Sequence, residues 1–377
     1  MPPNTENTQI LKARNVENGQ VQRVWLLLDD RPGHATQVRG LAQEMAWAAV
    51  PIDLTFNPLN RLPNPFLGSS LVSLSSSDRG KLQAPFPAIV IGMGRRVVPI
   101  ARWIKRQSGG KTRIVMLGRK ATAKPSDIDL VVGCVHFNQI PREGYFELAV
   151  PPTQVNREIL SAAQAIGPSP ISALKRPRVV LLVGGPTAQH RFDVTDAIQL
   201  VMSVAKATIK LGGELAIVTS RRTPAIAVEA MKRAVPAAHI HVWQAGAQEN
   251  PYLSYLANAD LLVVTGESES MIAEAAAVGV PLTIYPLQEK PRSLKYRLAT
   301  ALRLKADQND AIGRLSRYAM LGGWIVPPRD LALMHGALHK GGIATVFDGS
   351  LNTRSPLQWG GFKELSKRLA VLAAGAP

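Results

Sequence analysis

Short apolar strands alternate with amphipathic helices along nearly the whole of this chain, and that alternation limits the folds open to it. Residues 21–28, 52–56, 87–94, 113–117 and 129–132 are strand-like, with helical apolar rhythm over 36–49 and 99–108. Residues 165–177 are rich in Pro and Gly, and the pattern then restarts. Strands are predicted at 178–183, 215–219, 239–243, 260–264 and 282–286, with helices at 193–211, 224–234 and 251–257. Strands that follow one another through helices pair in parallel, and helices then cover both faces of the sheet. The prediction is an α/β protein of two Rossmann-type, doubly wound parallel-sheet domains. At 377 residues the chain is long enough for two cores.

The expected organisation is a disordered polar tail at 1–20, an N-terminal domain at 21–165 and a C-terminal domain at 177–350. A helix within 351–377 bears Phe362, Leu365, Leu369 and Leu372 and is expected to pack on a domain. Residues 57–84, rich in Pro, Ser and Gly, read as a surface insertion or acceptor-side loop.

Doubly wound sheets bind ligands at the C-terminal ends of their strands. Candidate residues are therefore sought in those loops. The fullest is residues 263–275, where a β-branched strand ends in a polar loop with Gly266, Glu267, Ser268, Glu269, Ser270 and Met271. The first N–H groups of the helix that starts there suit a phosphate. Glu274 lies one turn in and is placed for a ribose hydroxyl. An ordinary capping-box start at Ser270 explains the same residues.

Gly184-Gly185-Pro186-Thr187 is a glycine-rich turn that lets backbone approach an anion. Ser220, Arg221 and Arg222 follow another strand, and the two arginines could fork onto a diphosphate. In the first half, His34 is the candidate general base, with Asp29 placed to orient it. A loop His is otherwise structural, and Asp29 could merely cap a helix. Gly92-Met93-Gly94 lacks the rest of the dinucleotide fingerprint, so NAD is disfavoured. No Walker sequence, His/Cys metal cluster or Gly-x-Ser-x-Gly elbow occurs.

The charge balance of 44 basic against 27 acidic residues, formally +17, favours polyanionic partners. With aromatics at 5% and no nucleic-acid module, specific nucleic-acid recognition is not expected. The phosphates of a substrate or an anionic membrane face fit the same charge. The single cysteine, Cys134, fits a reducing compartment. No apolar run reaches the roughly 20 residues of a spanning helix, so a cytoplasmic protein, at most peripheral to the inner membrane, is expected.

Six stretches together resemble one family. Residues 31–42, opening Arg31-Pro32-Gly33-His34, look like the N-terminal signature of the mitochondrial-fission ("elongated mitochondria") family. Residues 91–96, 184–187, 219–224, 250–252 and 264–274 match its other landmarks in order. The resemblance implies a GT-B-like fold of two Rossmann-type domains around a cleft. Its second half is similar to nucleotide-sugar glycosyltransferases and to UDP-N-acetylglucosamine 2-epimerase. On that analogy Ser268, Ser270, Met271 and Glu274 hold the nucleotide diphosphate and its ribose; Gly184, Gly185, Thr187, Ser220, Arg221 and Arg222 are the further candidates for its phosphates. Arg31, Gly33, Gln37, Gly94, Arg95 and His136 lie on the acceptor side. The family's Pro-x-His-Asp reads Gly133-Cys134-Val135-His136-Phe137 here, so the histidine persists and the acid is missing.

The leading expectation is a bacterial member that binds a nucleotide-diphosphate sugar and moves the sugar to a cell-envelope or lipid-linked acceptor, with no metal or cofactor. An epimerase or hydrolase on the same fold, or a non-catalytic scaffold with a protein partner, are the alternatives.

Overall fold

The computed structural model describes residues 24–45, 47–118, 127–167, 169–246, 250–322, 324–357 and 361–375. The expected tail at 1–20 lies outside the described residues. The chain divides into two compact units. One holds the chain up to Leu148, Ala299–Pro328 and the C-terminal helix; the other holds Ala149–Leu298 and Arg329–Trp359.

In the first unit the order is β1 (Val24–Leu28), α1 (Pro32–Glu44), β2 (Ala49–Asp53), α2 (Asn64–Leu67), α3 (Ser76–Arg79), β3 (Ile89–Met93), α4 (Val98–Gln107), β4 (Arg113–Leu117), β5 (Leu130–Cys134) and β6 (Tyr145–Leu148). All pairings are parallel, in the order β2-β1-β3-β4-β5-β6. Every residue of β1 is buried, as a central parallel strand covered on both faces requires.

The second unit runs α5 (Arg157–Ala165), β7 (Arg178–Val183), α6 (Val194–Lys210), β8 (Glu214–Thr219), α7 (Ala225–Ala234), β9 (His239–His241), α8 (Tyr252–Asn258), β10 (Leu261–Thr265), α9 (Glu269–Val278) and β11 (Leu282–Tyr285). After α10 (Leu294–Lys305) and α11 (Ala311–Leu321) come α12 (Leu331–Lys340), β12 (Ala344–Val346) and α13 (Gly361–Ala374). The sheet order is β12-β11-β10-β7-β8-β9, again all parallel. Val179, Leu181, Leu200, Val204, Ile217 and Val263 are among the residues that fill one core of this unit.

Several elements differ from the sequence expectation. Helix α1 begins at Pro32, four residues early, because proline suits the first helical turn. It ends at Glu44, and residues 49–53 pair with β1 from Val24↔Ala49 onward. The helical rhythm read through Ala49 therefore overran into a strand. Strands β6 and β12 carry no strong apolar run; both lie at sheet edges and are partly exposed. Residues 57–84 are folded onto the unit. Leu74 and Leu82 join the core, and Asn57 donates from Nδ2 to the Val72 carbonyl at 2.8 Å. The Asp78 carboxylate accepts from the Thr55 N–H at 2.6 Å.

The chain leaves the first unit at Leu148, upstream of the Pro/Gly stretch at 165–177, and α5 packs on α8. Residues 299–328 group with the first unit although they follow the second sheet in sequence. Helix α13 also belongs there, with Leu365 and Leu369 fully buried and Arg113 donating to the Gly375 carbonyl at 2.8 Å.

Candidate functional site

Strand order decides which loops meet. In the first sheet the chain moves outward in opposite directions from β1 and β3, so the loops after those two strands flank its topological switch point. In the second sheet the corresponding neighbours are β7 and β10. The loops holding Asp29 and His34, Gly94, residues 184–187 and residues 266–271 fall at these two places, whereas Ser220, Arg221 and Arg222 follow β8 and His136 follows β5.

At the first switch point His34 turns back from the first turn of α1 toward the end of β1. Its Nδ1 lies 3.0 Å from Oδ2 of Asp29. The Asp29 side chain is only 1% exposed, so its carboxylate is desolvated against the ring. Its Oδ1 accepts from the Arg31 N–H at 3.3 Å. With Nδ1–H donated to the carboxylate, Nε2 is the nitrogen left to accept a proton. Gly94 has φ +79°, and a Cβ there would stand 2.9 Å from Cε1 of His34. The glycine after β3 thus serves both the left-handed turn and the close approach of the imidazole.

The neighbouring arginines have separate duties. Arg96 pairs with Asp30 at 2.7 Å. Arg95 donates to the Leu62 carbonyl at 2.9 Å and tethers the 57–84 segment. A cavity of about 310 Å³ opens beside this group, lined among others by Asp29, Asp30, Asp53, Thr55, Phe56 and Arg96. Gln37 is half-buried on α1, Gly33 has open space around it, and Arg31 is exposed as the cap residue of α1. His136 is not brought to this place. It sits in a 3-10 turn, Val135–Phe137, with no exposed surface and its ring 4.4 Å from that of Phe137. An aromatic core environment, which sequence cannot distinguish from a loop at a strand end, takes this histidine away from solvent.

At the second switch point the glycine turn is occupied by the protein itself. The Gly184 N–H donates to Oγ1 of Thr265 at 2.8 Å, and the Gly185 N–H donates to Oε1 of Glu267 at 2.9 Å. A Cβ on Gly184 would overlap that carboxylate, and one on Gly185 would overlap the Arg222 carbonyl. These glycines are therefore required for the approach of Glu267 and β8, and their N–H groups are not presented to a ligand. Burial raises the Glu267 carboxyl above its usual range, against the stabilising Gly185 N–H, Thr265 hydroxyl and Arg222. Arg222 stands 3.3 Å from Oε1. Sequence reading had Glu267 in view within the motif but assigned it no role; its position directly after the strand-ending Gly266 was the available signal.

Helix α9 begins at Glu269 with Ser268 as its cap residue, and no side chain closes a capping box. This corrects the expected start at Ser270. Ser270 is exposed on the first turn, whereas Ser268 and Met271 are buried. The first backbone bond closing the helix runs from the Ile272 N–H to the Ser268 carbonyl at 2.9 Å, which sets the helix's positive end at residues 268–271, where Ser270 is the exposed residue. Arg329 pairs with Glu269 beside it. Lys290 donates to the Thr187 carbonyl at 2.8 Å, and the Thr187 hydroxyl accepts from the His190 N–H at 3.0 Å. The Ser220 hydroxyl accepts from the Arg222 N–H at 3.3 Å, and Arg221 is exposed. Glu274 is held inward: the Tyr252 hydroxyl donates to its Oε2 at 2.6 Å. Burial raises this carboxyl above its usual range and the Tyr252 phenol well above its own. Among the described residues no group of three or more His, Cys, Asp or Glu is placed to hold a metal ion.

The family model for mitochondrial fission ELM1 matches residues 32–306. The chain belongs to the mitochondrial fission ELM1 family. Within that match lie the second switch point and every candidate residue except Asp29 and Arg31, which stand with β1 just ahead of it. An ELM1-family relative, the mitochondrial fission protein ELM1 of Arabidopsis thaliana, is 27% identical over 221 residues, 52% of this chain and 51% of that protein. The chain thus spans about half the length of that relative. An uncharacterized protein of Rickettsia prowazekii (strain Madrid E) is 23% identical over 296 residues, 70% of this chain and 82% of that protein. Among solved structures, the UDP-GlcNAc 2-epimerase from Methanocaldococcus jannaschii is similar at 11% identity and a TM-score of 0.45, the match covering 93% of this chain and 99% of that one. The ELM1-family chain has the fold class expected of it, two parallel six-stranded sheets with helices on their faces.

Proposed function

We propose that this protein binds a nucleotide-diphosphate sugar and transfers the sugar to a hydroxyl of a cell-envelope acceptor, with His34 as base. The observation that carries the reading is the His34–Asp29 pair, a half-buried imidazole held by a desolvated carboxylate at a sheet's switch point. In the transfer, Nε2 takes the proton of the acceptor hydroxyl. The hydroxyl oxygen forms its bond to the anomeric carbon as the bond from that carbon to the diphosphate oxygen breaks. The diphosphate leaves with the electron pair.

The positive end of α9, with Ser270 exposed on its first turn, supports placing the diphosphate there. Arg221 and Arg222 supply positive charge near developing negative charge, and no metal is required in this scheme. Glu274 is given no ribose contact in this scheme, since its carboxylate accepts from the Tyr252 hydroxyl. The cavity beside Asp29 suits an acceptor rich in hydroxyls: carboxylates and Thr55 line it with the apolar face of Phe56.

The test is a thermal-shift screen with UDP, GDP, CMP, ADP and their sugars on the wild type and on Ser270→Glu. Ser270 is exposed, and an acid in the first turn suits the helix, so the variant should fold as the wild type does. Stabilisation by one nucleotide class, lost in Ser270→Glu, is expected. A flat response to all, or an undiminished one in the variant, overturns the donor site. Donor consumption without acceptor would instead indicate an epimerase or hydrolase.

A further inference from the structure

Helix α11 is built inside out. Its buried positions are Gly313, Ser316 and Met320, two of them small and weakly apolar. Gly313 is fixed by packing, since a Cβ there would overlap the carbonyls of Gln308 and Lys305. The large apolar side chains point the other way. Leu304, Ile312, Leu315, Tyr318 and Trp324 are between 57% and 81% exposed. At 100° per residue Leu315 and Tyr318 lie opposite the buried stripe, and Arg314 lies next to Tyr318. A helix that faces only water carries the reverse pattern.

The charge around this face has one sign in excess. Within the unit that holds α11, residues 299–321 carry four basic side chains, Arg303, Lys305, Arg314 and Arg317, against two acidic ones, Asp307 and Asp310. Asp307 pairs with the buried Arg303 and Asp310 with Lys305, which leaves Arg314 and Arg317 as exposed cations on α11 itself. The whole chain is formally +17. Among the described residues no helix is long and apolar enough to cross a membrane, so insertion across a bilayer is not what this face offers.

We propose that the outer face of α11, with Leu304 and Trp324, docks in the plane of an anionic membrane surface. Leucine, tyrosine and tryptophan enter the headgroup region while the flanking arginines meet lipid phosphates; this division of labour is that of interfacial helices. A second copy of the chain or a protein groove would cover the apolar residues too, but neither accounts for the surplus of cations around them. The inference does not depend on the sugar-transfer reading.

Co-sedimentation of the full chain with vesicles tests it. Wild-type protein should sediment with phosphatidylcholine vesicles containing phosphatidylglycerol, weakly with phosphatidylcholine alone, and less as salt rises. The double variant Leu315→Glu/Tyr318→Glu should lose at least about tenfold in partitioning, because two exposed apolar contacts are replaced by charges of the membrane's sign. Trp324→Phe should remove a blue shift in tryptophan emission that vesicles produce. Since these side chains are exposed, the variants should keep the wild-type unfolding temperature, and light scattering should show an unchanged mass. Failure of the wild type to sediment, equal sedimentation of the double variant, or a dimer that the double variant breaks would each overturn the proposal.

Discussion

Oε1 of Glu267 accepts the Gly185 N–H at 2.9 Å, so a buried carboxylate occupies the turn that a glycine-rich motif suggested for an anion. The same oxygen faces Arg222 at 3.3 Å, which ties the ends of β7, β8 and β10 together. A methyl group on Gly185 would meet the Arg222 carbonyl, which is backbone and cannot rotate aside. Gly185→Ala should therefore cost about 1–3 kcal/mol. Gly33→Ala, with nothing within 4 Å of its Cβ, should stay within about 0.5 kcal/mol. Urea midpoints of the two variants make the comparison, and equal midpoints would mean that the β7 turn is not so tightly set.

Asp29→Asn should leave the protein folded and able to bind nucleotide while lowering sugar transfer by on the order of 10²–10⁴-fold. An amide in place of the carboxylate no longer stabilises the imidazolium that forms when Nε2 takes a proton. Single-turnover transfer measured beside nucleotide affinity separates the two effects. Transfer at the wild-type rate would remove His34 from the role of base.

Tyr252→Phe deprives the Glu274 carboxylate of its hydroxyl donor and should destabilise the second unit by about 1–3 kcal/mol. The pH dependence has a definite sign. Burial lifts the folded-state value of Glu274 above 4.5, so between that value and its raised one the folded protein holds more protons than the unfolded chain. This carboxyl therefore contributes a stability that is lost as pH rises upward from about 4.5. Glu274→Gln should lack that contribution, gaining on the wild type between pH 4 and pH 8 in denaturant unfolding. A constant difference across that range would contradict the assignment.

His190 works in the opposite direction. Burial lowers its folded-state value below 6.5, with Arg292, Arg329 and Lys290 adding to the effect and Glu289 opposing it. Below pH 6.5 the unfolded chain takes up the proton first, so stability present above that pH is lost as pH falls toward the lowered value. His190→Gln should flatten this slope between pH 7.5 and pH 5.5. Thermal unfolding across that interval reads it directly.

The alternation of strands and helices was legible because its signal is local. Residues 113–117 and 178–183 coincide with β4 and β7, runs apolar enough to be buried on both faces. Edge strands β6 and β12 were not legible, since half-exposed residues of mixed character carry no such run. Gly94 and His34 were both singled out from sequence, but nothing local announces that the glycine leaves room for the ring. Glu274 and Ser270 share one motif, yet one turns inward to Tyr252 and the other faces solvent.

By itself the sequence determined an α/β chain with two parallel sheets, the loops at which their strands end, and a surplus of positive charge. Apolar periodicity and composition are properties of neighbouring residues, and they survive without knowledge of what pairs with what. Tertiary structure alone decided that β1 lies beside β3 and β7 beside β10, and so that Asp29 and His34 share a switch point with Gly94 and that Glu267 fills the Gly185 turn. It also decided that α11 turns its glycine and serine inward and its leucine and tyrosine outward. Strand order and helix facing depend on pairings between residues tens of positions apart, whose energies no local pattern records.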